Sequence, residues 1–361
     1  MSILNDLKNA LALIDQLAIR DERKSIPRIL YEVMQLAVLN RNSPSYYFSR
    51  HLYRKDRTNI HDYVPNRILY DLSVYFNDDF AAQILSNKLF FGLFFDQFKI
   101  NVPKILMYNH KNAFIADNTV VEINTIDAFR DLLVDLIQKK SAHNSVFIKK
   151  TYDSYGGSNI FKLSGNEIPW NHQFLLNLYH EITQSSYLFQ DTIQQHPELE
   201  ILNPSCVNTI RLDTFIDQHG KPEIVSAYLR MSINNLHVDN ISSGGCCVGV
   251  ELSTGKLKKF GYTSYTKAGG KIMIEHPITK ISFEDFTIPS FHQAKELLLK
   301  VAVIVPSLRL IGWDIAIGNN GPVLIEGNCG YDMTLNDLTY GGFRKNPVFK
   351  KILDEVKSNR K

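Results

Sequence analysis

The sequence lacks several features that would place it in a common class at once. Its four cysteines, Cys206, Cys246, Cys247 and Cys329, show neither metal-ligand spacing nor a C-x-x-C redox motif. We therefore expect free thiols in a reducing cytoplasm. No run approaches the roughly 20 apolar residues of a membrane span, so any work at a membrane is expected from its surface. Charged residues interrupt the first apolar run, which argues against a signal peptide.

Two further absences concern nucleotides and nucleic acids. Neither GxxxxGK[ST] nor GxGxxG occurs, which excludes a Walker P-loop and a dinucleotide fingerprint. The net charge of +3 gives little indication of partners. Residues 46–57, YYFSRHLYRKDR, interleave aromatic and basic residues and could bind nucleic acid or anionic lipid. A helix that buries its Tyr and Phe and exposes its Arg and Lys is the more frequent reason for such a pattern, and we expect no nucleic-acid partner.

What is present indicates a multi-lobed globular protein. A length of 361 residues predicts two or three lobes, without internal repeats or low-complexity linkers. Residues 1–85 are expected to be mostly helical. One helix is predicted from apolar residues at helical spacing, and a second follows Pro27. The first apolar set is Leu4, Leu7, Leu11, Ile14 and Ala18.

The middle of the chain reads as a mixture of helices and strands. Ser86 is expected to cap a helix that runs to about Phe98. A strand at 146–149 enters the loop TYDSYGGS (151–158) and leaves it as another strand. Gly156 and Gly157 would let backbone N–H groups approach phosphate oxygens, with a lysine just upstream. An ordinary hairpin tip is the alternative. Further strands near 187–190, 207–216 and 224–232 predict an α+β core with many antiparallel strands.

The most informative stretch is LIGWDIAIGNNGPVLIEGN, residues 310–328, which predicts a β-hairpin with an Asn- and Gly-rich turn. If the loop is 319–321, with a left-handed glycine at 321, Gly318 pairs with Pro322 and Asp314 lies opposite Glu326. Alternation along the second strand places Leu324, Glu326 and Asn328 on one face.

Asp314, Glu326 and Asn328 would then project oxygen atoms from one patch of a rigid, apolar hairpin. Such hard ligands suit Mg²⁺, which takes one or two carboxylates and leaves its other positions to water and phosphates. The alternative is a half-buried strand pair with polar residues on its solvent side.

The combined pattern resembles the ATP-grasp superfamily. It consists of Lys88, Lys149 with the glycine loop, the strand at 187–193, Arg230 and the three oxygen ligands. The phrases NPSCVNTIR (203–211), GWDIAI (312–317) and GPVLIEGN (321–328) look like the sugar-transfer-associated branch. The resemblance runs from about residue 87 to the end of the chain.

This resemblance implies an ATP-grasp fold, in which two α+β subdomains, 86–186 and 187–361, grip ATP beside the helical region 1–85. Lys88 and Lys149 would contact phosphates, with Lys150 as the alternative to Lys149, and Gly156, Gly157 and Ser158 would close over them. Gln190, Asp191 and Ile193 would read adenine. Asp314, Glu326 and Asn328 would hold one or two Mg²⁺, and Arg211 and Arg230 would stabilise the transferred phosphoryl group. Substrate binding is expected from Asn208, Asp239, Asn240, Gly244 and Gly245, although the 239–245 loop could equally be only a hairpin turn.

The implied activity is ATP-dependent ligation of a carboxylate to an amine through an acyl phosphate. The branch points to a sugar carboxylate in cell-surface polysaccharide synthesis, in the cytoplasm, with possible peripheral association with a glycan assembly system. Two alternatives stay open: a kinase on the same fold, with Asp213 or Asp239 as base, and a non-catalytic nucleotide-binding subunit. The sequence gives no indication of oligomeric state.

Overall fold

The computed structural model describes residues 22–40, 45–152, 160–234, 239, 241–264 and 270–359. Two antiparallel sheets, one of six strands and one of seven, form the centre of this part of the chain. The predicted α+β class with many antiparallel strands is confirmed. The helix predicted from Leu4 to Ala18 and the loop at 153–159 lie outside the described residues. No described helix is long and apolar enough to cross a bilayer.

The six-stranded sheet runs β3-β2-β1-β6-β4-β5. Two helices, α6 (Ile126–Asp135) and α7 (His172–Thr183), cover one face, where Phe129 and Leu178 pack on Val146 and Phe189. Strand β6 lies between β1 and β4 in the sheet but is the last of its strands in the sequence. The chain therefore leaves this sheet after Asp191. The strands are β1 (Ile105–His110), β2 (Ala113–Ala116), β3 (Thr119–Glu122), β4 (Ser145–Lys150), β5 (Ile160–Ser164) and β6 (Ser186–Asp191).

The seven-stranded sheet runs β11-β10-β9-β8-β7-β12-β13. Helix α9 (Phe291–Ala302) covers one face through Leu298 and Val301, which join Leu212, Trp313 and Ile315 in the largest apolar core. The opposite face carries the polar side chains described below. The strands are β7 (Thr209–Ile216), β8 (Pro222–Met231), β9 (Cys246–Val250), β10 (Leu257–Thr263), β11 (Ile272–Met273), β12 (Leu310–Gly318) and β13 (Gly321–Asn328).

The helical region before residue 87 packs on the second sheet. In residues 46–57 the aromatic side chains are buried as predicted and share a core with Ile29 and Val33, but Arg50 is completely buried, so the expectation of exposed basic residues is wrong there. The buried ion pair between Arg50 and Asp337 joins this region to the C-terminal helices. Its helices are α1 (Ile26–Asn40), α2 (Tyr46–Ser49), α3 (Asn66–Tyr75) and α4 (Asp79–Ser86), and the remaining helices are α5 (Lys88–Gln97), α8 (Pro197–Leu202), α10 (Thr334–Tyr340) and α11 (Pro347–Asn359).

Helix α5 connects the two sheets. Its cap is Asn87, whose side chain accepts the N–H groups of Leu89 and Phe90, whereas Ser86 ends the preceding helix, so the predicted Ser86 cap is wrong. The N–H of Lys88 donates to the carbonyl of Thr151 over 2.8 Å. This bond fixes the first turn of α5 against the end of β4.

The β12–β13 hairpin has the predicted Asp314–Glu326 pair but reaches it differently. Gly318 pairs with Gly321, so the loop is two residues long, and a bulge between Leu324 and Glu326 restores the pairing. The bulge also separates faces. Leu324 lies in the apolar core with Ile315, so the expectation that it shares a face with Glu326 is wrong.

Candidate active site

One face of the seven-stranded sheet brings four charged side chains into adjacent positions. Asp314 on β12 pairs with Arg211 on β7 and with Glu326 on β13. Arg230 on β8 pairs with Thr209, two residues before Arg211 and therefore on the same face. Directly paired residues of antiparallel strands have neighbouring side chains. The strand register therefore places two carboxyl groups and two guanidinium groups in one cluster.

Asp314 lies at the centre of this cluster and is almost completely buried. The Nε of Arg211 is 2.6 Å from its Oδ1, and the Nη2 of Arg230 is 2.6 Å from its Oδ2. Burial alone would raise the pKa of Asp314, but Arg211 and Arg230 outweigh burial and hold that pKa well below its usual range. Asp314 is therefore a carboxylate, and its negative charge keeps both arginines oriented.

Glu326 experiences the opposite environment. It lies directly opposite Asp314 in the strand pair, so the two carboxyl groups are neighbours. Burial, followed by the charge of Asp314, raises the pKa of Glu326, while Lys88 and Arg230 lower it. Asn328 Nδ2 lies 3.4 Å from Glu326 Oε1. The pKa values of these two adjacent buried carboxyl groups are shifted in opposite directions. A cation beside them would reduce the repulsion between their negative charges.

Two lysines from the other sheet and from helix α5 act electrostatically on this cluster. Burial lowers the pKa of Lys149 to about 8, with Glu326 opposing that shift and Lys88 adding to it. These mutual influences place Lys88, Lys149 and Glu326 in one electrostatic neighbourhood. Alternation along β4 directs Lys150 to the opposite face from Lys149. Lys149 is thus the lysine of this pair that shares the surroundings of Glu326.

Asp239 borders the arginines on the side away from the hairpin. Its Oδ2 accepts the backbone N–H of Thr209 at 2.8 Å and also the hydroxyl of Thr209. The Nε of Arg230 donates to Thr209 Oγ1 over 2.9 Å and lies 3.9 Å from Asp239. Asp239 and Thr209 thus orient Arg230 from behind, while Asp314 orients it from the front.

Sequence comparison gives the cluster a family context. The chain matches the sugar-transfer associated ATP-grasp family over residues 69–348, which is more than half of its length. The chain belongs to this family. It therefore has the ATP-grasp fold, as the motifs predicted. A comparison with curated protein sequences gives no significant match.

Solved structures of other ATP-grasp proteins are similar to the chain at low identity. D-alanyl-alanine synthetase A from Vibrio cholerae is 12% identical with a TM-score of 0.45, over 77% of this chain and 66% of that one. D-alanine–D-alanine ligase from Coxiella burnetii is 7% identical with a TM-score of 0.41, over 79% and 61%. N5-carboxyaminoimidazole ribonucleotide synthetase from Thermotoga maritima is 9% identical with a TM-score of 0.36, over 69% and 43%. This chain therefore spans less than two thirds of each of them.

ATP-grasp proteins use Mg²⁺, and the hairpin offers donors that fit it. Asp314, Glu326 and Asn328 supply two carboxylates and one amide oxygen, which matches the one or two carboxylates that Mg²⁺ takes from proteins. Burial, and then the charge of Asp314, raise the pKa of Glu326, and a cation bound beside it would oppose that shift. Among the described residues, no group of three or more His, Cys, Asp or Glu side chains is arranged for a metal, so the amide would be the third protein ligand.

The predicted adenine segment lies at the end of β6. The side chain of Gln190 is buried, with Nε2 3.5 Å from the carbonyl of Pro103. Asp191 accepts Ser141 Oγ at 2.8 Å and the N–H of Ala142 at 3.0 Å. The Asp191 side chain is thus committed to the turn after α6, and the N–H of Asp191 itself donates to the carbonyl of Lys104 at 2.9 Å. Ile193 is half-buried beyond the strand.

The predicted substrate residues have different positions. Asn208 is completely buried, and its amide bonds to Gln195, Leu199 and Asn203, so its prediction as a substrate ligand is corrected to a structural role. Gly244 has a φ of 99° and donates its N–H to Ile241, which makes it a turn residue before the buried Gly245. Gly156, Gly157, Ser158 and Asn240 lie outside the described residues.

Three residues at the site were not predicted: Thr209, Tyr331 and Gly312. Thr209 could have been found from strand alternation, because it lies two positions before Arg211. Tyr331 follows Asn328 by three residues and has no local signal. Gly312 precedes the Trp-Asp pair, and a Cβ there would lie 3.0 Å from the Tyr331 ring. The glycine of the GWD phrase is thus explained by the tyrosine that packs on it.

Proposed function

We propose that the protein is an ATP-dependent carboxylate–amine ligase. The observation that carries the proposal is the charged cluster on the second sheet, with Asp314 held between Arg211 and Arg230 and with Lys88 and Lys149 facing Glu326. The two sheets would form the two halves of the grip, in subdomains 86–186 and 187–361, with 1–85 as an accessory helical region. The triphosphate would lie between the lysines and the hairpin.

The reaction needs positioned charge rather than a protein nucleophile. An oxygen of the substrate carboxylate attacks the γ-phosphorus, the bond to the β-phosphate oxygen breaks, and ADP leaves an acyl phosphate. The amine nitrogen then attacks the acyl carbon, phosphate leaves with the bonding electrons, and the nitrogen loses a proton. Phosphoryl transfer of this kind is accelerated mainly by positioning and charge neutralisation. Lys88 and Lys149 would bind the nucleotide phosphates.

The arginines would act on the group in transfer. Arg211 and Arg230 present planar guanidinium forks, which match phosphate oxygens in geometry. Asp314 fixes both forks before substrate arrives, so little reorganisation is needed during the reaction. Asp314, Glu326 and Asn328 would hold one or two Mg²⁺, which supply charge neutralisation between phosphate oxygens when bound.

The substrate class is proposed more specifically from the family description. We infer a sugar carboxylate, such as a uronic acid, joined to an amino acid or another amine during cell-surface polysaccharide synthesis. The protein would act in the cytoplasm, with possible peripheral association with a glycan assembly system. The partners would be small-molecule or glycan substrates, and not nucleic acid.

A kinase on the same fold is the second candidate. It would need a base near an acceptor hydroxyl. Asp213 is completely buried beneath the sheet face, whereas Asp239 borders Arg230 and remains a candidate base. A non-catalytic nucleotide-binding subunit is the third candidate, and the intact cluster of oxygen ligands speaks against it.

The test is to follow the γ-phosphate while sugar acids are crossed with amino acids and amines in the presence of ATP and Mg²⁺. Free phosphate and ADP that depend on both a carboxylate and an amine, with the amide detected by mass spectrometry, would support the ligase. A stable phosphorylated alcohol would identify a kinase instead. Tight ATP binding without turnover in every mixture would favour the non-catalytic subunit.

A further inference from the structure

Tyr331 lies against the arginine that the proposed reaction uses. It is buried, and its ring centroid is 5.4 Å from Cζ of Arg211. The ring packs over Gly312 so closely that a Cβ at that position would lie 3.0 Å from two ring atoms. A guanidinium over an aromatic face is attracted to it and is restricted in its rotation. Backbone on one side and Arg211 on the other therefore confine the ring.

The hydroxyl end of Tyr331 lies near a second buried group, the carboxylate of Asp213. Burial, and then the charge of Asp213, raise the pKa of Tyr331, but its hydroxyl has no hydrogen-bond partner among the described residues. Asp213 itself accepts hydrogen bonds from Ser226 and Asn336 on its Oδ2. Tyr331 is therefore held by the packing of its ring and not by its hydroxyl.

We propose that Tyr331 is a positioning residue that holds the guanidinium plane of Arg211 in its reactive orientation. This inference rests on the proposed function. The Nε and Nη2 groups of Arg211 already donate to Asp314. The Nη1 group is therefore the one that would donate to a phosphoryl oxygen. A flat ring against the guanidinium keeps that group aimed, because rotation out of the plane would lose both the ring contact and the fork geometry. Displacements of this kind are costly in positioned catalysis.

Two substitutions separate the ring from its hydroxyl. Y331F keeps the ring over Arg211 and removes only a hydroxyl without a hydrogen-bond partner among the described residues, so we expect kcat for ADP formation to stay within about threefold of wild type. Y331L removes the ring face, and we expect kcat to fall about 50-fold with KM for ATP within about threefold of wild type. A loss in Y331F as large as that in Y331L would overturn the role of the ring. Y47F is a control away from the site, because the Tyr47 hydroxyl donates to the buried carboxylate of Glu32 in the helical N-terminal region. We expect Y47F to change stability but not kcat.

A double-mutant cycle tests whether Tyr331 acts through Arg211. If it does, Y331L adds little to R211M, and the double variant has the activity of R211M alone. Independent, multiplicative losses would overturn the proposal, as would equal losses from Y331L and Y47F.

A spectroscopic readout separates this proposal from the ligase assignment. The Nε–H of Arg211 is hydrogen-bonded to Asp314, so its ¹H–¹⁵N signal should exchange slowly with solvent in wild type, and R211K identifies it by its loss. We expect exchange to be at least tenfold faster in Y331L and close to wild type in Y331F, which keeps the ring. Unchanged exchange in Y331L would sink the positioning role even if ligation is found. Faster exchange in Y331L, in a protein that shows no ligase turnover, would support the positioning role of Tyr331 and contradict the proposed ligase function.

Discussion

Two buried arginine–aspartate contacts in this molecule have opposite designs. Arg50 and Asp337 are both completely buried, 2.9 Å apart, and Asp337 also accepts the backbone N–H groups of Val64 and Phe343. Asp314 instead receives two arginines and lies beside a second carboxyl group. The first contact balances one charge against one charge and fills its remaining lone pairs with backbone donors. The second, here called the overloaded cluster, gathers two arginines and two carboxyl groups in one buried patch, where Lys88 and Lys149 also act on Glu326.

The difference indicates which contact serves structure and which serves chemistry. The Arg50–Asp337 contact, here called the closed pair, balances its charges and stabilises the junction between the helical N-terminal region and α10, although Arg50 Nη2 has no hydrogen-bond partner among the described residues. An overloaded cluster has groups that a polyanion and a divalent cation would complete. Burial and short distances are common to both contacts, so they do not identify the site. The number of charged groups gathered in one place is what distinguishes the candidate site from the closed pair.

The largest effect is expected from removing one charge of the overloaded cluster. Glu326→Gln keeps the size of the side chain but removes a negative charge from the oxygen-ligand set. We expect ADP formation to fall about 1,000-fold or more. The midpoint of thermal unfolding should stay the same or rise slightly, because the carboxyl is disfavoured by burial and by Asp314. Steady-state turnover and calorimetry check both parts, and turnover within tenfold of wild type would contradict the metal assignment.

Removing one charge of the closed pair should give the converse result. Asp337→Asn leaves Arg50 buried without its counter-charge, and we expect the free energy of unfolding to fall by about 3–5 kcal/mol. Activity per folded molecule should be retained. Urea denaturation measures the stability. Asp354→Asn, which breaks an exposed pair with Lys357 at 3.0 Å, is the control and should cost no more than about 0.5 kcal/mol. If Asp337→Asn lost turnover while its free energy of unfolding stayed unchanged, the closed pair would belong to the active site.

The sequence predicted the overloaded cluster better than the closed pair. Asp314, Glu326 and Asn328 lie within one hairpin, close together in the sequence. Strand alternation is therefore enough to predict that their side chains are neighbours. Arg50 and Asp337 are far apart in the sequence, and only the packing of the helical region on α10 brings them together. Tyr331 was missed for the same reason, since the guanidinium that it packs against, that of Arg211, comes from a distant strand.

The hairpin illustrates how a correct contact can follow from an incorrect register. The sequence predicted a three-residue loop, whereas the loop has two residues and a bulge shifts the second strand by one position. The bulge turns Glu326 toward Asp314 and leaves Leu324 in the core. Turn residues report local backbone preference, but a bulge is set by what each face must bury. Asn208 was misassigned similarly, because its amide partners arrive from the turn around α8.

The smallest of the expected effects concerns a third buried charged group, Lys149, which acts on the overloaded cluster and is absent from the closed pair. Burial lowers its pKa to about 8, so the free protein carries the ammonium charge below that pH and loses it above. If this charge binds ATP phosphates, the ATP affinity should fall about tenfold from pH 7.5 to pH 9, and binding at pH 9 should take up a proton. Lys149→Arg remains charged throughout this range and should remove the decline, while Lys149→Met should bind weakly at every pH. Titration calorimetry in buffers of different ionisation enthalpy measures affinity and proton uptake together. A parallel decline in Lys149→Arg would show that another group titrates and would separate Lys149 from the nucleotide.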